Sequence, residues 1–358
     1  MSVTTTDILM LGPGLGVSGG MTSVETLILE TPLDDIEIEH ISSFEEGVIG
    51  RKLTVFLSAL GKLVGEVIAR PIGSVHVHVS YGGSALRAAI IVLLMSVFRK
   101  PVMLHMHGSE FHVFFAKIPT AAKQLLGAAF RKCQYMIVLS DSWKAFYSTN
   151  LGIDPDKVIV LPNPVKLPST VPSRSTREQV RCVFLGRLGQ RKGTFELLRA
   201  FAALPAETLA NALLVVAGDG EIEKAKQLAA ELGISERVEF AGWVGRETRD
   251  RLLAESNIFV LPSHNEGLPM AVLEAMGWGL AVITTPVGGI PELVTPDHDG
   301  VLVEPGNVEE LTAALKRLIE DESTRKLLGE RARARVTPLS VDTYMEKLSG
   351  LYKSMHSS

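Results

Sequence analysis

Short runs of Val, Ile and Leu alternate with amphipathic stretches from one end of the chain to the other. In the first half, strand-like DILMLG (7–12) precedes helical MTSVETLILE, and the alternating IEIEHI (36–41) precedes a long amphipathic run over 50–69. VHVHVS (75–80), a helix at 84–99, PVMLHMHG (101–108), a helix at 119–132, YMIVLS (135–140), a helix at 142–151 and VIVLPN (158–163) follow. Apolar strand patterns separated by helical ones predict βαβ units and a parallel sheet.

The texture then changes. Residues 164–180, PVKLPSTVPSRSTREQV, hold three prolines and several Ser and Thr without periodicity, which predicts a linker over 166–180. Beyond it the alternation resumes with RCVFLGR (181–187), a helix at 193–203, LLVVAG (213–218), a helix at 221–232 and VEFAG (238–242). A helix at 246–255, IFVLPS (258–263), a helix at 269–278, AVITT (281–285), GVLVEP (300–305) and helices at 307–320 and 323–335 complete it. Two α/β domains are predicted, with ligands in a crevice where C-terminal strand ends meet.

A length of 358 residues fits two domains, and the formal charge of −4 comes from 36 basic and 40 acidic residues with no long basic tract. That balance argues against a general nucleic-acid binder. Cys133 and Cys182 both flank apolar runs and are expected to be buried, reduced thiols of a cytosolic protein. The opening MSVTTTDILMLGPG lacks the basic-then-apolar order of a secretory signal. The longest apolar stretch, AAIIVLLMSVF (88–98), is too short to span a bilayer and reads as a core helix, with interfacial contact as the lesser alternative.

Candidate chemistry gathers in SHNEGLPMAVLEAMGWG, where Glu266 stands in a loop after an apolar strand and Glu274 on the helix beginning near Pro269. Such a βα corner offers free N–H groups and a positive helix end to an anion. Two carboxylates beside it suit an anion joined to hydroxyl-rich groups; a capped surface helix would carry the same pair. In FLGRLGQRKG, Arg187 and Lys192 suit a leaving diphosphate, or else are solvated loop cations. GLGVSG (14–19) matches a dinucleotide fingerprint, but no acid closes the second strand, so a nicotinamide site is disfavoured, while the glycines could still admit a diphosphate. AGDGE (217–221) reads as a structural turn, and TTPVGGIPELV (284–294) as a second diphosphate-facing loop. His76, His78, His105 and His107 alternate along two strands, yet a zinc site would want more ligands. His107, at its strand end, faces the crevice or is simply a satisfied histidine. No hydrolase elbow, H-E-x-x-H or P-loop motif appears.

Together these segments resemble the family 4 retaining glycosyltransferases of the GT-B fold. FLGRLGQRKG, VVAGDGE, VEFAGWV, PSHNEGLPMAVLEAMGWGLAVITT and PVGGIPELV fall in that family's order over 181–305; GVSGGMTSV, HMHGSE, VLSDS and LPNPV continue it more weakly upstream. The resemblance implies two Rossmann-like, doubly wound parallel-sheet domains facing a central cleft. Residues 1–165 would form an acceptor-binding domain and 181–340 a nucleotide-sugar-binding domain, with a final helix in 341–358 crossing back to the first. Arg187 and Lys192 would hold the donor diphosphate beside Gly186, Glu266 would contact the donor sugar, and Glu274 the ribose. Backbone at Gly267, Leu268 and Pro269 would lie near sugar and phosphate, Trp243 or Val244 by the base, Gly19 and Gly20 near phosphate, and His107 by the sugar. The family often has E-x-F/Y-G where this chain has Glu266-Gly267-Leu268-Pro269, which leaves the donor sugar less readable.

The activity so implied is transfer of a sugar from a UDP- or GDP-sugar to a hydroxyl of a glycan or lipid-linked saccharide, with retention and without metal or cofactor, in bacterial surface polysaccharide assembly. A cytoplasmic protein is expected, with room for peripheral association at the inner membrane's cytoplasmic face. A nucleotide-sugar 2-epimerase on the same fold and a non-catalytic nucleotide-sugar binder are the alternatives.

Overall fold

A computed structural model describes residues 6–173 and 179–356. The chain forms two compact units, one of Met1–Pro164 with Val341–Ser358 and one of Val165–Ser340. Parts of three sequence expectations fall outside the described residues: the extreme N-terminus (1–5), the linker core (174–178) and the last two residues (357–358). Residues 165–173 pack within the second unit, where Val165 N–H donates to Leu339 O and Arg333 Nη2 donates to Pro168 O, both at 2.9 Å.

The first unit runs β1 (Thr6–Pro13), α1 (Gly20–Glu30), β2 (Ile36–Phe44), α2 (Ile49–Ala69), β3 (Ser74–Val79), α3 (Gly83–Val97), β4 (Val102–Met106), α4 (Phe111–Lys117), α5 (Thr120–Phe130), β5 (Tyr135–Val138), α6 (Asp141–Leu151) and β6 (Val158–Val160). Its parallel sheet has the order β2-β1-β3-β4-β5-β6, which reverses between β1 and β3. Strand alternation gives the sheet two different faces. Leu9, Leu11, Val75, Val77, Val79, Leu104 and Met106 join the apolar core. Met10, His76, His78, Met103 and His105 point the other way.

The second unit runs β7 (Val180–Leu185), α7 (Thr194–Ala202), α8 (Ala206–Ala210), β8 (Ala212–Ala217), α9 (Ile222–Glu231), β9 (Val238–Gly242), α10 (Arg246–Glu255), β10 (Ile258–Leu261), α11 (Met270–Gly277), β11 (Ala281–Thr284), α12 (Ile290–Leu293), β12 (Val301–Leu302), α13 (Val308–Glu320) and α14 (Glu322–Val336). The sheet order β12-β11-β10-β7-β8-β9 is the doubly wound arrangement of dinucleotide-binding folds, reversing between β7 and β10. Its central strands β7, β8, β10 and β11 are largely buried on both faces, hence their near-continuous apolar sequences, whereas edge strand β9 exposes Glu239. The last helix, α15 (Val341–His356), belongs to the first unit and packs on β3 and α1.

The major elements stand where the hydrophobic pattern predicts them. Two short helices, α4 and α8, escape it, while α12 is the helix turn expected after the glycines of TTPVGGIPELV. In α4 the run FHVFFAK looks strand-like by composition, yet Phe111 and Phe115 are buried one helical turn apart. The α3 helix is not wholly core: Leu86, Ile90, Leu93 and Val97 form an exposed stripe opposite buried Ala85, Ala88, Val92 and Met95. Among the described residues no helix is long and apolar enough to cross a membrane. Cys133 and Cys182 are free and buried, and burial pushes both thiols up to about 12.

Candidate active site

Ligands of open α/β sheets sit outside the C-terminal strand ends where strand order reverses. In the second unit the loops leaving β7 and β10 meet there and are stitched by backbone. His264 N–H donates to Arg191 O at 2.8 Å, and Arg191 Nη1 donates to Asn265 O at 3.2 Å. Gly193 permits this approach: it holds φ +69°, and a Cβ would stand 2.0 Å from the Pro262 carbonyl oxygen. The adjacent Lys192 then reaches Glu266, its Nζ donating to Oε1 at 2.5 Å, while Ser263 Oγ donates to the same oxygen at 2.7 Å. Gly288, at φ +59°, supports the corner from the other side, since a Cβ there would stand 1.9 Å from Glu266 O. Gly289 N–H donates to Gly267 O at 2.6 Å. Glu266 is 6% exposed, so its charge rests on this fixed set of partners.

Glu274 meets a different cation. Arg249 Nη1, from α10, donates to Glu274 Oε1 at 2.5 Å, while the same guanidinium holds Asp250 at 2.8 and 3.0 Å. Burial pushes the Glu274 carboxyl up to about 7 against the opposing pull of Arg249. Arg187 forks onto Asp219 at 3.1 and 2.7 Å. That hydrogen-bonded pairing holds Asp219 below the usual carboxylate range. Gly267, Leu268 and Pro269 are buried, with Pro269 as the N-cap of α11. Trp243 lies exposed just past β9, and Val244 is half-buried beside it. Gly186 follows β7 directly, its N–H donating to Ala217 O at 3.0 Å.

The first unit holds the remaining predicted residues. Gly19 is the N-cap of α1 without a side-chain cap bond, and Gly20 begins the helix; both are exposed, so the first-turn N–H groups face solvent. His107 follows β4, its N–H donating to Val79 O at 2.7 Å and its Nε2 pairing with His78 Nδ1 at 2.9 Å. Burial holds His107 well below the usual imidazole range, so the ring is neutral.

Lys192 and Glu266 are thus brought into direct contact, whereas Arg187 and Glu274 each engage another partner. Sequence reasoning missed Ser263, although it stands three residues before Glu266, and took Asp219 as structural. Arg249 gave no signal at all, because its role depends on how α10 packs beside α11. A cavity of about 430 Å³ opens beside Asn257, Gly279 and Arg333, next to the strand starts and away from these residues. Arg325, Lys326, Glu330 and Arg333 line it, but none of the residues that the sequence marks for the donor does.

Comparison with known proteins follows the same division. The model described as Glycosyltransferase Family 4 matches residues 32–167, and that described as Glycosyl transferases group 1 matches residues 172–335. An uncharacterised glycosyltransferase of Methanocaldococcus jannaschii is 28% identical over 250 residues, 66% of this chain and 64% of that protein. A UDP-Gal:alpha-D-GlcNAc-diphosphoundecaprenol alpha-1,3-galactosyltransferase of Escherichia coli is 27% identical over 272 residues, 71% of this chain and 70% of that protein. The chain spans less than two thirds of the length of the first of these, and about half that of several other curated relatives. Among solved structures, HepE of Anabaena in complex with UDP and glucose superimposes with a TM-score of 0.78 at 18% identity, covering 98% of this chain and 100% of that one. The fold is GT-B.

Proposed function

Because the chain belongs to the group 1 and family 4 glycosyltransferases, we propose that it transfers a hexose from a nucleoside diphosphate sugar to an acceptor hydroxyl with retention at the anomeric carbon. The contact of Lys192 and Ser263 with the buried Glu266 at the strand-order reversal carries this reading. The diphosphate would draw Lys192 and Arg187 from their carboxylates and meet the N-terminus of α11. Glu266, freed from Lys192, would accept hydrogen bonds from the donor sugar, and Glu274 from the ribose. Each preorganised contact to the developing phosphate charge lowers the barrier by about 3 kcal/mol. With these cations at the leaving group, a front-face path needs no catalytic metal, and the departing phosphate takes the acceptor proton. In the first unit, the family resemblance assigns Gly19 and Gly20 to phosphate and His107 to the donor sugar.

The UDP named for HepE and the UDP-Gal and lipid-linked acceptor named for the Escherichia coli relative favour a UDP-sugar and a glycan or lipid-linked acceptor in surface polysaccharide assembly. Exposed Ile49, Leu53 and Leu57 of α2 and the stripe of α3, with Lys52 and Arg87 both over the Phe44 ring, support peripheral contact of a cytoplasmic protein with an anionic membrane. The epimerase alternative draws no support from these relatives, whose names are those of transferases.

Calorimetric titration with UDP and GDP, followed by NMR of the product's anomeric proton, tests the proposal. Binding of neither nucleotide, or an inverted product, refutes it. Activity is expected to survive EDTA, and its loss would sink the metal-free transfer step.

A further inference from the structure

On the face of the first sheet turned away from the apolar core, the β3–β4 register sets His78 opposite His105 and His76 opposite Met103. His107 continues the same face just past β4. Neighbouring rings in this array have centroids 4.1–5.4 Å apart. His76, His78 and His105 are buried under α1 and α15. Two of these rings have one nitrogen engaged: His76 Nδ1 lies 2.7 Å from Tyr352 Oη, and His78 Nδ1 lies 2.9 Å from His107 Nε2. Among the described residues their Nε2 atoms, and both nitrogens of His105, have no hydrogen-bond partner. Glu25 of α1 is fully buried beside them, 3.6 Å from His78 Nδ1 and 3.5 Å from His40 Nε2.

Each unpaired buried polar group costs about 1–3 kcal/mol, so a cluster of them on one face is a heavy burden for a domain core. Protons cannot relieve it, because charging several adjacent buried rings adds repulsion and desolvation. A cation can. We propose that His76, His78 and His105 bind a divalent first-row transition metal ion of the zinc type, through Nε2 of His76, Nε2 of His78 and one ring nitrogen of His105.

One ring nitrogen from each of these three residues already lies within 4.8 Å of the others. Zinc–nitrogen bonds of about 2.0–2.1 Å set donors about 3.4 Å apart, so the rings need to draw in by about an ångström. The outer contacts are those of a metal site. Tyr352 and His107 hold the far nitrogens of two ligands, and a Glu25 carboxyl oxygen lies 3.6 Å from that same His78 Nδ1. An all-imidazole set suits zinc and its neighbours rather than magnesium or calcium. Its ligands come from β3 and β4, and its outer partners from α1 and α15, so the ion would clamp the sheet to its covering helices. The ion takes no part in the proposed transfer, and its burial lets it outlast brief exposure to EDTA.

The test is metal content. The full chain, purified without a metal-affinity step and dialysed against Zn2+, is passed through gel filtration and analysed by plasma mass spectrometry. One equivalent of zinc is expected. Chelator-stripped protein should rise in Tm on adding Zn2+, and Co2+ should give visible d–d bands that report imidazole ligation. His76→Gln with His105→Gln should lose the metal, whereas His298→Gln, at an exposed histidine, should keep it. Wild-type protein that retains under about 0.1 equivalent and shows no Zn2+-dependent rise in Tm overturns the proposal, whatever the folding of the variants. Retention of a full equivalent by a folded double variant overturns it too.

Discussion

At the C-terminal ends of β7 and β10 Lys192 answers Glu266, and close by Arg249 answers Glu274, whereas beneath α1 and α15 the buried ring nitrogens of His105 and the oxygens of Glu25 find no hydrogen-bond partner among the described residues. The difference separates two kinds of incompleteness. A carboxylate matched to a cation is stable in the free protein, yet the match can be exchanged when a diphosphate claims the cation. Neutral imidazoles facing one another have nothing to exchange, and only an added cation improves them. Matched charges therefore suit a ligand that comes and goes, and unmatched donors suit one that stays.

Lys192→Ala should break this comparison most severely. It removes a proposed contact to the leaving phosphate and leaves Glu266 buried with Ser263 alone, so kcat should fall by about 10²–10³-fold. Stability should drop by about 3 kcal/mol as well, because one member of a largely buried pair is lost. Steady-state kinetics and urea unfolding check the two effects, and unchanged kcat would remove Lys192 from the chemistry. Glu274→Ala comes next. Loss of a charged partner for ribose hydroxyls should weaken UDP binding by about 10–100-fold, which calorimetry reads directly. Unchanged affinity would overturn the ribose assignment.

The pH dependence of Glu274 sharpens the same contrast at smaller scale. Its carboxyl titrates at about 7 in the folded chain, against an ordinary value of 4.5. Between those values the folded state keeps a proton that the unfolded state has released. This residue's contribution to stability therefore falls as pH rises through that window and is flat above it. Urea midpoints for wild type and Glu274→Gln should converge near about pH 5 and part towards about pH 8, the variant then being the more stable. Parallel profiles would show that Arg249 keeps the carboxylate ionised throughout.

Much of this architecture was legible in the chain because its signals are local. Buried parallel strands read as apolar runs, helices as periodic ones, and the corner holding Glu266 as a strand followed by a glycine loop. The partners of those residues were not local. Arg249 reaches Glu274 from a helix 25 residues upstream, and Tyr352 reaches His76 across 276 residues. The histidine alternations were visible in VHVHVS and LHMHGSE, but not that they share a face. That depends on the β3–β4 register, and a slip of one residue would put one histidine pair on the opposite face. His40 and Glu25 were invisible as neighbours for the same reason.

Arg187→Ala carries the smallest structural effect and the cleanest separation of roles. Side chains of the Arg187–Asp219 pair are 60% and 38% exposed, so solvent and salt screen it. Such a pair contributes about 0–1 kcal/mol, and the variant's Tm should move by no more than a few degrees. Catalysis should respond differently, because a diphosphate held against Arg187 excludes water and restores the strength of the guanidinium's hydrogen bonds. A lower kcat/KM with an almost unchanged Tm is expected. In Lys192→Ala both should fall. If Arg187→Ala lowers Tm as much as Lys192→Ala, the exposed fork is a structural tie between the loops after β7 and β8. Arg187 would then hold Asp219 rather than the donor.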